Sequence, residues 1–144
     1  MISGGCYRVA KTVTGKAKKL YSWTGAKTAC EKLGGWLASF PDREQYDAVI
    51  TYTANSWFAG KQFWVGGLKE GESFMWQAGP LDGDEIDEEL WADEQPNGAS
   101  NQLCVQANYG SGSADDKGLD SIMCKTQRYG LCEGSSVFAD DDCC

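Results

Sequence analysis

Trp91-Ala-Asp-Glu-Gln-Pro-Asn-Gly-Ala-Ser-Asn-Gln-Leu-Cys104 is the stretch the rest of the chain is arranged to hold. It contains Pro96, one of three prolines, between two carboxamide side chains, Gln95 and Asn97. The bond before a proline is the peptide bond that commonly turns cis, and a cis bond would aim both neighbouring side chains to one side. Two amides on one rigid turn present oxygens and NH groups together, which makes a recognition surface. Taken alone, Gln-Pro-Asn equally suits a loop that only redirects the chain. The tryptophan and the cysteine framing it favour the first reading.

Working outward, 144 residues suit one domain with a real core. A hydrophobic content of 42% with six tryptophans marks the chain as globular. No apolar run approaches the roughly 18 residues of a membrane span. Met1 leads straight into Ile-Ser-Gly-Gly-Cys without a signal peptide, as expected of a processed or trimmed chain. The net charge of −8 argues against nucleic acid and anionic membrane partners. The absence of histidine removes Ser-His-Asp and Cys-His catalysis, histidine-ligated zinc and the usual pH switch. Seven cysteines without a Cys-x-x-Cys pair read as disulfides, hence a secreted, extracellular protein.

The spacing predicts a strand region over residues 5–22, with the Lys16–Lys19 turn as a solvated tip. Trp23, Ala26, Ala29, Cys30 and Leu33 fall on one helical face, with Thr24 as the expected N-cap and Gly34-Gly35 as the stop. A second helix is expected from about Asp42 to Thr53, with Asp42 and Gln45 at capping-box spacing. Trp36–Phe40 reads as a short buried strand between them. Phe63-Trp-Val-Gly-Gly-Leu68 is the clearest strand, its glycine pair signalling close approach of another backbone, and Phe74–Trp76 completes a hairpin. Residues 78–108 show little regular structure, a length that points to an ordered functional loop when pinned at both ends. Leu103–Ala107 and Gln127–Cys132 read as late strands.

In this order the pieces resemble the C-type lectin-like domain. The matching parts are the Cys30 helix, Leu33–Ala38, Trp64–Leu68, Phe74–Trp76, Leu90-Trp91, Gln95–Asn97, Cys104-Val105, Cys124 and Tyr129–Cys132. The resemblance implies an α+β fold with two helices, two small antiparallel sheets and a long ligand-binding loop, with a core over residues 30–132 of a single 1–144 domain. It also implies Cys30–Cys132 and Cys104–Cys124 as core disulfides, closing loops of about 100 and about 20 residues and contributing about 4 to 5 and about 3 kcal/mol. For the acidic tail 133–144, Cys6 is expected to pair with Cys143 or Cys144. The cysteine left over points to a disulfide-linked homodimer.

In sugar-binding members of that family calcium sits on the long loop and takes two sugar hydroxyls directly. Carried over by the resemblance, its ligand positions are Gln95, Asn97, Gln102, Asp120 and Ser121, with Leu119 in place of a tryptophan. A shift of one residue would align Leu119 and Asp120 instead; either register leaves one carboxylate. Calcium affinity follows the number of charged ligands, so a site on Gln95, Asn97 and Asp120 is expected at the weak extracellular end of the range, or absent. Asp93, Glu94, Asp115 and Asp116 could add charge or form a solvated surface. The run Asp82–Glu89, six carboxylates in eight residues, would gain from a cation but also suits a soluble loop.

These features point to a carbohydrate-binding module that takes a glycan or glycoprotein through Gln95-Pro96-Asn97, with Trp91 or Tyr109 as stacking faces. The alternative is a calcium-independent member that binds a protein or another surface such as ice. An enzyme is not expected, since nothing fixes a pair of carboxylates at a productive separation.

Overall fold

The computed structural model describes residues 6–9, 20–54, 62–92, 95–96, 101, 103–108 and 118–134. The first helix, α1 (Trp23–Lys32), is capped by Ser22, whose hydroxyl accepts from the Gly25 amide at 3.2 Å. Thr24, the expected cap, is exposed inside the helix. The cap moves upstream because Trp23 is itself helical, with a buried ring whose Nε1 donates to the Val65 carbonyl at 2.9 Å. The second helix, α2 (Arg43–Ala54), starts as the capping pattern predicts: Asp42 Oδ1 accepts from the Gln45 amide at 2.8 Å. Tyr46, Val49 and Ile50 form its buried stripe, while the Thr53 side chain lies outside the described residues.

Seven strands form one connected sheet: β1 (Cys6–Val9), β2 (Trp36–Leu37), β3 (Gln62–Glu70), β4 (Ser73–Trp76), β5 (Cys104–Asn108), β6 (Gly118–Ile122) and β7 (Tyr129–Gly134). The path runs β1-β7-β3-β5-β6, with β2 paired to β7 and β4 to β3. All pairings are antiparallel except β3 with β7, where Phe63 faces Tyr129 and Trp64 faces Gly130. That short parallel contact joins what the resemblance implied as two small sheets. Strand β6 was not foreseen: its Gly-Leu-Asp-Ser-Ile carries no clean apolar alternation.

The larger core cluster holds Phe40, Tyr46, Phe63, Val65, Trp76, Ile86, Leu90, Val105, Leu119 and Leu131. A second cluster packs Trp23, Leu37 and Trp64 around Cys30, Cys104 and Cys132. Here Cys30 is bonded to Cys132 and Cys104 to Cys124, the pairs the resemblance implied, with Cα separations of 5.4 and 5.1 Å. The glycine pair of β3 marks a close backbone approach. A Cβ on Gly66 would lie 2.9 Å from the Leu37 carbonyl oxygen, and the Gly66 amide donates to Ala38 O at 2.8 Å. Among the described residues no helix is long and apolar enough to cross a membrane. The Cys6 backbone pairs with Gly134, while its thiol, Cys143 and Cys144 lie outside the described residues.

Candidate functional site

The long loop is pinned by its backbone before it reaches the proline turn. After 3-10 turn Gly79–Leu81 the chain runs back along β4: the Trp76 amide donates to Asp84 O and the Ile86 amide to Phe74 O, both at 2.9 Å. This path splits the acidic run. Ile86 enters the core, Asp87 Oδ1 accepts from the Glu89 amide at 3.1 Å, and Glu89 Oε1 accepts from the Arg43 amide at 3.0 Å. A carboxylate on the first amide of α2 satisfies an otherwise orphaned donor and complements the helix dipole. Glu89 therefore ties the loop to a helix. Among the described residues no three His, Cys, Asp or Glu side chains gather to hold a metal.

Beyond 3-10 turn Glu88–Leu90, Trp91 packs edge-on to Phe74 at 5.2 Å and against the larger core. Its ring braces the loop base and does not stand out as a stacking face; Tyr109 lies outside the described residues. Trp91 bridges Leu119 in parallel, and the Ala92 amide donates to Leu119 O at 3.0 Å. The two backbones meet closely because residue 118 is glycine. With φ +146, a Cβ there would sit 2.5 Å from the Ala92 nitrogen.

The Gln95–Pro96 bond is cis. Gln95 Oε1 accepts two hydrogen bonds from Ser121, from its amide at 3.2 Å and its hydroxyl at 3.3 Å. Asp120, the next residue along β6, is turned differently. Its Oδ2 accepts from Gln106 Nε2 at 3.3 Å, and Gln106 Oε1 accepts from Arg128 Nε at 2.8 Å. Successive residues of a strand alternate between faces. Cross-strand pairing puts Ser121 beside Val105 and Asp120 beside Gln106, so the carboxylate and the Gln95 partner lie on opposite faces of β6. Leu119 is fully buried in the core, which fits the register that aligns Ser121, not Asp120, with the last residue of the expected triplet.

Of the expected ligand positions, then, Gln95 and Ser121 come together, and Asp120 joins Gln106. Asn97, Gln102, Asp93, Glu94, Asp115 and Asp116 lie outside the described residues. The described donors do not fit calcium. The ion takes about six to eight oxygens and needs charge to offset its dehydration. Here the carboxamide oxygen already faces an amide and a hydroxyl, and one carboxylate is turned to another side chain. The Gln106–Arg128 pair and the Glu89 cap had no local sequence signal, because each joins residues far apart in the chain.

The family model of the Lectin C-type domain matches residues 19–134. The Type-2 ice-structuring protein of Hemitripterus americanus is 26% identical over 111 residues, 77% of this chain and 61% of that protein. The chain thus spans 61% of the length of that relative. Among solved structures, a Ca2+-dependent type II antifreeze protein in its Ca2+-free form superposes with a TM-score of 0.70 at 25% identity, covering 94% of this chain and 95% of that one. The SPL-1–GlcNAc complex superposes with a TM-score of 0.71 at 20% identity, covering 92% and 89%, a likeness of fold.

Proposed function

This chain belongs to the C-type lectin domain family, and on that premise we propose that it is a secreted, calcium-independent recognition module that takes glycan hydroxyls at the turn around Gln95-Pro96-Asn97. The observation that carries this reading is the Gln95–Ser121 contact. Where a cation would draw the carboxamide oxygen, a buried amide and hydroxyl hold it. Two disulfides fit an oxidising compartment outside the cell. The work of the site is binding, with no paired carboxylates set for catalysis. Binding to an immobilised glycan array, in calcium and in EGTA, tests the reading. The same glycans should be bound in both, and the double variant Gln95→Ala, Asn97→Ala should lose them while melting within a few degrees of the wild type. Binding that appears only with calcium, or survives the double variant, overturns it.

A second reading has its own support in the sequence match to an ice-structuring protein, that of a surface binder whose ligand is ice. Thermal hysteresis in EGTA with an empty glycan array would favour it over the first.

A further inference from the structure

We propose that Ser121 is a positioning residue that stands in for a cation, locking the Gln95 carboxamide so that its NH2 group is the part left for a ligand. The inference rests on the recognition reading above and adds the polarity of the contact. Strand β6 is the last strand of the sheet path, so one of its edges has no strand beside it. The Trp91-Ala92 backbone covers the first part of that edge through Ala92 N and Leu119 O. Two residues on, the Ser121 amide points to the same side. Ser121 is 4% exposed, and a buried amide left without an acceptor is costly. The Gln95 side chain supplies that acceptor and takes the place a carbonyl of a neighbouring strand would take.

The orientation of the carboxamide follows from this contact. A backbone N–H only donates, so the atom facing it is the carboxamide oxygen, and the serine hydroxyl adds a second bond to the same atom. The planar amide then directs Nε2 away from Ser121. Among the described residues, Gln95 Nε2 donates no hydrogen bond, and the side chain is half-buried rather than exposed. A carboxamide that coordinates a cation uses its oxygen. Locked by Ser121, it offers a donor. The ligand atom met at Gln95 is therefore an acceptor: a ring or hydroxyl oxygen, or the carboxylate of a uronic sugar.

Amide hydrogen exchange at Ser121 and Ala92, measured with calcium and with EGTA, tests the lock without a ligand. Exchange should be the same in both. It should quicken about tenfold in Gln95→Ala, the factor one hydrogen bond of ordinary net strength represents. Ser121→Ala should give a smaller rise and Ser121→Thr should restore the wild-type rate. In Gln95→Glu the carboxylate still accepts from Ser121 but cannot donate. Its exchange in EGTA should be unchanged, while binding to immobilised neutral and uronate glycans falls about tenfold or more. Slower exchange on adding calcium, or unchanged exchange in Gln95→Ala, overturns the lock. Undiminished glycan binding by Gln95→Glu overturns the donor assignment. If the wild type binds no glycan in EGTA, the glycan reading and the ligand-facing donor fall together, and the exchange rates still decide the lock.

Discussion

Replacing Gly118 by alanine should detach the long loop from the sheet. Gly118 has φ +146, a region L residues rarely adopt, and its added Cβ would meet backbone: Ala92 N at 2.5 Å, Ala92 Cα at 2.8 Å and Trp91 C at 2.9 Å. Ordinary contact begins near 3.4 Å, so Ala92 must retreat by about 0.9 Å (3.4 less 2.5). The Ala92 N to Leu119 O bond, now 3.0 Å, would then stretch past hydrogen-bonding range. Backbone strain of about 1 to 2 kcal/mol adds to about 1 kcal/mol for that bond and about 1 for the Gln95–Ser121 contact that follows it. The total, about 3 to 4 kcal/mol, lowers the melting temperature by about 9 to 12 °C at roughly 3 °C per kcal/mol. Gly34→Ala is the control. It has φ +92 with nothing within 4 Å, so it carries the strain without the clash and should cost about 3 to 6 °C. Thermal melts by circular dichroism compare the two, with Ser121 amide exchange reporting the loop. Equal losses in the two variants, or unchanged exchange in Gly118→Ala, would refute the close approach as the loop's anchor.

Glu133 is 4% exposed, and burial raises its pKa above the ordinary 4.5, with hydrogen bonds from the Ser39 amide and hydroxyl opposing the rise. The folded protein thus holds that proton more tightly than the unfolded chain. The stability it contributes is present below pH 4.5 and is lost as pH rises through the folded pKa. Subtracting the pH profile of Glu133→Gln from that of the wild type should leave this falling slope just above pH 4.5; a flat difference would remove Glu133 as its source. Calcium should leave the melting temperature unchanged. A site of about 10 micromolar would add about 2.7 kcal/mol at about 1 millimolar ion, several degrees that calorimetry would detect. Opening Cys30–Cys132 with paired alanines releases a loop with a separation of 102 residues, for a loss of about 4 to 5 kcal/mol by chain entropy, read from denaturant titration. A loss under about 1 kcal/mol would show that the unfolded chain is already compact there.

Much of the fold could be read from local pattern. Apolar spacing placed both helices, since each buries one face, and Asp42 announced the start of α2. The Gly66-Gly67 pair signalled a close contact that Leu37 and Ala38 then made. The order of cysteines, tryptophans and the proline triplet carried the family, because that order survives when individual residues change. The capping of α1 was misplaced by two residues, since Ser22 and Thr24 have similar cap chemistry and only the packing of Trp23 selects between them.

The site was decided by tertiary structure. Sequence named Gln95, Asp120 and Ser121 as one group, but adjacency along β6 turns Asp120 and Ser121 to opposite faces, and which one meets Gln95 depends on the register with β5. Glu89 looked like one acid in a charged run until the fold set it on the first amide of α2. Composition and periodicity describe what a segment prefers over a few residues. A hydrogen bond between positions 95 and 121 exists only once the sheet edge and the loop have been brought together, so only the folded chain could place it.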